Sequence, residues 1–108
     1  MKDEKEPDWQ PIGNSKTPNL ADIVMSNNGR DAGKKLIVIE KQENYSLIVD
    51  GKGRRCEQPK LKKDKHLTII GRASGIVEDK LTSGDKVTNN EVRRALAKYE
   101  AESDVQEV

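Results

Sequence analysis

The sequence has a single cysteine, Cys56, and a single histidine, His66. One thiol excludes an intramolecular disulfide and a cysteine-based metal site. His66 has no evident carboxylate to orient it as a general base, and the acidic residues lack the spacing of metal ligands. The Gly51-Lys52-Gly53 segment is typical of a hairpin turn and lacks the Gly-Lys-Ser/Thr pattern of a nucleotide-binding loop. We therefore expect a protein that is not an enzyme and that uses no cofactor or metal.

Aromatic residues are also scarce, since the chain has no Phe, one Trp and two Tyr. Proteins that read single-stranded nucleic acid use exposed aromatic side chains as stacking platforms. Tyr45 lies in an alternating strand pattern and Tyr99 on the apolar face of a predicted helix, so we expect both in the core. Stacking on single-stranded bases is therefore not expected.

Long apolar runs are missing as well. No run approaches the length of a membrane span or a signal-peptide core, and residues 1–6 are too acidic for an organelle presequence. These absences predict a cytoplasmic protein that does not associate with membranes.

The aliphatic residues that are present are concentrated in one part of the chain. Leu, Ile and Val total 23 residues, 21% of the chain, and 20 of them lie in residues 20–99. This distribution predicts one small domain between a flexible leader, residues 1–19, and an acidic tail, residues 100–108. In the leader, Trp9 with Ile12 is either a solvated or loosely docked side chain or a partner-docking spot, because Trp is enriched at binding hot spots.

The formal net charge of +1 conceals an uneven charge distribution. Residues 1–26 carry a net charge of −2, residues 27–72 carry +6 and residues 73–108 carry −3. The segment 52–65 alone has seven bases and two acids. Because a local field rather than the total charge attracts a polyanion, this middle segment predicts an anionic partner.

Short strand patterns separated by turn residues fill the first two thirds of the chain and predict a small five-stranded β-barrel over residues 20–72. In the second strand, Leu36 and Val38 face one side and Ile37 and Ile39 the other, so the outer face needs a cover. The five predicted strands are Leu20–Met25, Lys34–Lys41, Tyr45–Asp50, Arg54–Gln58 and Leu67–Ile70.

Residues 73–99 predict a helical extension. Ser74 is a candidate N-cap for a helix that ends near Gly84, and Thr88 with Glu91 fits a capping box at the start of a second helix. That second helix has an apolar face which either covers the barrel or binds a protein partner. The face is formed by Val92, Ala95, Leu96 and Tyr99.

The segment 23–39 pairs a strand, a turn of the form Gly-Arg-Asp-x-Gly and a hydrophobic strand, and it resembles a KOW motif. Together with four further segments given below, it makes residues 20–99 resemble the small bacterial KOW-domain RNA-binding proteins, which are related to KOW-type proteins of the large ribosomal subunit. The leader and the segment Ile69–Gly75 depart from that pattern. The further matches are residues 43–51, Arg54-Arg55, residues 59–67 and residues 87–96.

The resemblance implies a monomeric SH3-like barrel that binds structured RNA, with ribosomal RNA as the expected partner and ribosomal proteins as further neighbours. From the residues alone, Arg30 is either a phosphate clamp or a local partner of Asp31. Gly29 and Gly33 either admit the backbone to phosphates or only shape the hairpin. The alternative function is a protein-interaction module that binds a transcription or translation factor.

The candidate RNA-binding residues are the bases of the turn and of the basic middle segment. The lysine-rich run Lys60–Lys65, placed on a rim loop of the barrel, is either a solvated face or a grip on the RNA backbone, since lysines suit phosphates of variable geometry. The predicted site comprises Arg30, Lys34, Lys35, Lys52, Arg54, Arg55, Lys60, Lys62, Lys63, Lys65 and His66.

Overall fold

A computed structural model describes residues 17–106 of the chain, with side chains as far as residue 102. The predicted docking spot at Trp9 and Ile12 lies outside the described residues. The last residues of the predicted leader pack against the domain: Pro18 is fully buried, and the Asn19 amide donates to the Asp22 carboxylate at 2.8 Å.

Five antiparallel strands form one sheet, which confirms the mainly-β prediction. They are β1 (Asp22–Ser26), β2 (Lys35–Lys41), β3 (Tyr45–Val49), β4 (Lys60–Lys63) and β5 (Leu67–Arg72). Their order in the sheet is β4-β3-β2-β1-β5, so the two edge strands follow each other in the chain. A 3-10 turn, Asp64–His66, joins them. Within the described residues no ladder pairs β4 with β5, and the sheet is therefore open rather than a closed barrel.

The predicted strand at Arg54–Gln58 is wrong, and the lysine-rich run that follows it forms β4 and the start of the 3-10 turn instead of a rim loop. The Asp50 carboxylate accepts a hydrogen bond from the Arg54 amide at 2.9 Å, which folds this segment into a turn. The Cys56 amide donates to Asn89 Oδ1 at 2.7 Å. Backbone amides that donate to side chains cannot also donate to a neighbouring strand. The chain after β3 therefore pairs back with it only from Lys60 onward, in β4.

The two apolar faces of β2 lie in separate core clusters, as the alternation predicts. Leu36 and Val38 are fully buried on one face of the sheet, among residues of β1, β3 and β5. Ile37 and Ile39 face the other side, where residues from the C-terminal segment join the cluster. The C-terminal segment thus supplies the predicted cover. Its buried contributions are Ala73, Val77, Val87 and Val92.

Two helices, α1 (Ile76–Thr82) and α2 (Asn89–Gln106), form this cover. The capping box is confirmed: the Thr88 amide donates to Glu91 Oε1 at 3.0 Å, and the Glu91 amide donates to Thr88 Oγ1 at 3.1 Å. The predicted Ser74 cap is wrong, since Gly75 precedes α1 and no side chain caps it. Helix α2 continues into the segment predicted as an acidic tail.

The apolar face of α2 packs on the sheet and is not open to a protein partner. Val92 is fully buried, and Leu96 and Tyr99 pack against the same cluster. The Tyr99 hydroxyl donates to the Ile70 carbonyl at 3.0 Å, which ties the helix to β5. Tyr45, by contrast, is only half-buried and joins neither cluster. Neither described helix is both long and apolar enough to cross a membrane.

Two glycines let α2 approach the sheet closely. A Cβ atom at Gly71 would lie 2.6 Å from Tyr99 Cε1, and one at Gly51 would lie 2.6 Å from the Asn89 carbonyl oxygen. Arg93 donates a hydrogen bond to the Gly51 carbonyl at 2.6 Å. The turn between β3 and β4 is therefore docked directly on the first turns of α2.

Candidate nucleic-acid interface

The loop between β1 and β2, residues 27–34, lies against the end of β4. Lys62 Nζ donates to the Asn28 carbonyl at 3.0 Å, and Asn28 Nδ2 lies 3.1 Å from His66 Nδ1. The His66 carbonyl accepts a hydrogen bond from the Asn27 amide at 2.9 Å. These contacts bring the predicted turn and the predicted basic segment together. We call the resulting surface the basic edge: Arg30, Lys60, Lys62, Lys63, Lys65 and His66.

The register of β4 on β3 distributes its lysines over both faces of the sheet. Lys62 pairs with Ser46, whose side chain is buried, whereas Lys63 pairs with half-buried Tyr45. Lys60 and Lys62 are accordingly half-buried, and Lys63 is exposed. An edge strand lined with lysines also resists pairing with a second sheet, which gives the run a structural role beside any binding role.

The conformation of the β1–β2 loop accounts for its glycines. Gly29 and Gly33 have φ angles of 79° and 85°, a left-handed region that other residues rarely adopt. A Cβ atom at Gly29 would also lie 3.1 Å from Lys62 Nζ. The glycines therefore shape the hairpin and admit the Lys62 contact, whatever the loop binds.

Asp31 anchors the β1–β2 loop by pairing with Arg54. Arg30 therefore forms no ion pair with Asp31. The Asp31 side chain is 4% exposed, and its Oδ2 accepts from Arg54 Nε at 3.1 Å and from Nη2 at 2.9 Å. Lys34 Nζ lies 3.5 Å from Oδ1. Burial raises the pKa of Asp31, but hydrogen bonding and attraction by Arg54 outweigh it, so this pKa lies below its ordinary value. Local pairing of Arg30 with Asp31 does not occur.

Replacing Asp31 by Asn should destabilise the protein by about 1–3 kcal/mol at neutral pH, because the Arg54 contacts lose their charged acceptor. Because the pKa of Asp31 is lower in the folded than in the unfolded protein, its ionised carboxylate stabilises the fold. This stabilisation is complete above the unfolded pKa, about 3.9, and is lost as the pH falls through the folded pKa. The gap between wild type and Asp31→Asn should therefore shrink on acidification below about pH 4.

Urea unfolding at neutral and acidic pH measures this gap. Asp85→Asn is the matched control, since Asp85 is exposed and its side chain forms no ion pair within the described residues. A gap that stays constant with pH would show that Asp31 contributes by packing alone.

A half-buried polar network that the sequence did not indicate fixes the 3-10 turn. Lys41 Nζ lies 2.8 Å from Asp64 Oδ1 and 2.7 Å from Oδ2, and Ser46 Oγ donates to the same carboxylate at 2.7 Å. The Lys41 and Asp64 side chains are 21% and 15% exposed. Strands β2 and β3 thus hold the turn that carries Lys65 and His66, and they neutralise the one acid inside the lysine-rich run.

The predicted lysines and arginines fall into two groups. Four form ion pairs with acids of this chain and help hold its own elements together: Lys34 and Arg54 with Asp31, Lys35 with Glu100, and Arg55 with Glu57. The other group forms no ion pair with any side chain of residues 17–102: Arg30, Lys52, Lys60, Lys62, Lys63 and Lys65. Five of these six belong to the basic edge.

Cys56 does not have the character of a reactive thiolate. It is half-buried and packs against the helix-covered core cluster. Burial raises the pKa of the Cys56 thiol, and the neighbouring Glu57 raises it further. Among the described residues, no three His, Cys, Asp or Glu side chains are grouped so that they could hold a metal ion.

Two residues with structural contacts here were not found from the sequence: Asn28, which links Lys62 to His66 at the basic edge, and Arg93, which α2 brings to the β3–β4 turn outside that edge. Neither has a local sequence signal, because both depend on contacts between distant segments. No protein-family model matches the chain, and no curated protein matches it significantly.

Proposed function

We propose that this protein is a non-catalytic, cytoplasmic RNA-binding protein that docks on the phosphates of structured RNA through its basic edge. The observation that carries the proposal is the group of five bases at that edge that have no acidic partner in residues 17–102. Most of the other described bases are already paired within the fold. Unpaired cations concentrated along one edge of the sheet create the local field that attracts a polyanion.

We propose that this open sheet corresponds to the KOW type of SH3-like barrel. The two edge strands are consecutive and are joined by a single 3-10 turn. Contacts of the β1–β2 loop with Lys62 and His66 bridge the gap between these edges. In this interpretation, the loop of the KOW-like motif completes the barrel where backbone pairing stops, and it carries Arg30 beside the lysines of β4.

Ribosomal RNA is the proposed target, as the KOW resemblance implies. Of the two described tyrosines, Tyr99 packs against the core cluster and Tyr45 is half-buried, which supports recognition of backbone and shape rather than of stacked bases. Lysines on flexible stems suit phosphates whose positions vary along a folded RNA. We therefore propose binding with low sequence specificity.

Gel-shift titration with protein-free ribosomal RNA tests the proposal. With about five phosphate contacts, the affinity should fall on the order of a hundredfold between about 50 and 200 mM potassium chloride, because each contact releases counterions. No retardation at low salt, or retardation insensitive to salt, would rule out this function. If the protein does not bind RNA but binds a purified translation or transcription factor, the protein-interaction module is favoured instead.

A further inference from the structure

A groove of about 520 Å³ lies between the β1–β2 loop, the β3–β4 turn and α2. It is separate from β4, but the loop 27–34 borders both: Arg30 lies at the basic edge and Lys34 lines the groove. The loop therefore connects the basic edge with the groove. The charged residues that line it are Lys34, Lys35, Lys52, Arg93, Asp50 and Glu100.

The two acids of the groove are already engaged. The Asp50 carboxylate accepts hydrogen bonds from the amides of Lys52 and Arg54 at 2.8 and 2.9 Å, as part of the turn. Glu100 Oε2 lies 3.0 Å from Lys35 Nζ, and both side chains are partly exposed, at 53% and 32%. Lys52 and Arg93 form no ion pair within residues 17–102, so the groove keeps an excess of positive charge.

Arg93 is held in a fixed orientation at the groove. One of its terminal nitrogens donates to the Gly51 carbonyl at 2.6 Å, which leaves the remaining guanidinium donors available. Leu96, Ala97 and Glu100 follow Arg93 on the same side of α2 and also line the groove. The short, exposed Ala97 side chain leaves room between Arg93 and Glu100.

We infer that this groove is a second phosphate-binding surface for RNA, in which a phosphodiester displaces Glu100 from Lys35 and is held by Lys52 and Arg93. This inference rests on the proposed function, and it extends the RNA path from the sheet edge onto α2. Glu100 then acts as an internal competitor that an RNA phosphate replaces.

Ala97→Glu tests the inference by placing a negative charge in the groove at an exposed helical position, where Ala and Glu both favour helix. Ala97→Gln is the control for side-chain size. Lys86→Gln is the control for total charge, since Lys86 is exposed in the loop before α2 and does not line the groove. Binding of a short RNA hairpin is measured by fluorescence anisotropy at increasing potassium chloride.

We expect Ala97→Glu to bind about tenfold more weakly than wild type at about 50 mM salt, the effect of one lost phosphate contact. Ala97→Gln and Lys86→Gln should stay within about twofold of wild type. Glu100→Gln, which frees Lys35, should bind about two- to fivefold more tightly.

An Ala97→Glu variant no weaker than Lys86→Gln, an Ala97→Gln variant as weak as Ala97→Glu, or a weakened Glu100→Gln variant would overturn the inference. If wild type binds the hairpin and the Ala97 variants equal it, only the groove is excluded and the basic edge stands. If wild type does not bind at all, the proposed function falls and the groove inference with it.

Discussion

Replacing Lys63 and Lys65 by glutamate should weaken binding to structured RNA about a hundredfold at about 50 mM salt. Each lost phosphate contact removes about tenfold at this salt concentration, and the slope of log affinity against log salt should fall by about 0.7–0.9 per contact. Both side chains are exposed, and neither forms a hydrogen bond or ion pair with a side chain of residues 17–102. The loss should therefore be one of binding and not of folding.

The matched control is Lys86→Glu with Lys98→Glu, which changes the net charge by the same amount. Lys86 and Lys98 are also exposed. Lys86 lies in the loop before α2, and Lys98 lies on α2 but does not line the groove. This control should bind within about threefold of wild type, since charges farther from the RNA than a Debye length, about 14 Å at about 50 mM salt, are largely screened. Equal losses in the two double variants would mean that only total charge matters, which contradicts a defined basic edge.

Lys62 belongs in a separate variant because it has two roles. Its ammonium group holds the Asn28 carbonyl, so replacing Lys62 loosens the β1–β2 loop as well as removing a cation. If Lys62 were reversed together with Lys63 and Lys65, weaker RNA binding could come either from a disturbed β1–β2 loop or from a lost phosphate contact. Lys63 and Lys65 avoid this ambiguity.

Replacing Gly51 by alanine should destabilise the protein by about 3 kcal/mol. Gly51 has a φ of 80°, which costs an alanine about 1–2 kcal/mol. The new Cβ atom would also lie 2.6 Å from the Asn89 carbonyl oxygen and 2.8 Å from Arg93 Cγ, so α2 must move away from the turn. Overpacking of this kind adds about 1–3 kcal/mol.

Gly53→Ala is the matched control in the same turn, because a Cβ atom there meets nothing within 4 Å. Its free energy of unfolding, measured by urea denaturation, should stay within about 0.5 kcal/mol of wild type. If Gly51→Ala unfolds at the same urea concentration as Gly53→Ala, α2 is not docked on the β3–β4 turn as described.

Local sequence patterns predicted most of the strands because strand alternation and turn chemistry are properties of neighbouring residues. The opposite faces of β2, at Leu36 and Ile37, were assigned from a period of two alone. The capping box at Thr88 and Glu91 was equally local, since its two hydrogen bonds span three residues. These features need no knowledge of the rest of the fold.

The fourth strand was misplaced because its position is decided by distant residues. The Cys56 amide donates a hydrogen bond to Asn89, which is 33 positions away in the chain. That contact exists only after α2 has docked. The lysine-rich run then pairs with β3, although a run of charges has little strand signal of its own. A short window of sequence around residues 54–63 includes neither Asn89 nor β3, so it cannot reveal these contacts.

The candidate site divides in the same way. The sequence alone determined that cations are concentrated in residues 52–65, that a Gly-bounded turn carries Arg30, and that a helix with one apolar face follows. Only the tertiary structure decided which cations are available, by pairing Arg54 with Asp31 and Lys35 with Glu100 and leaving Lys63 unpaired within residues 17–102. The physical reason is that charge is counted along a chain, whereas ion pairing depends on distances that exist only after folding.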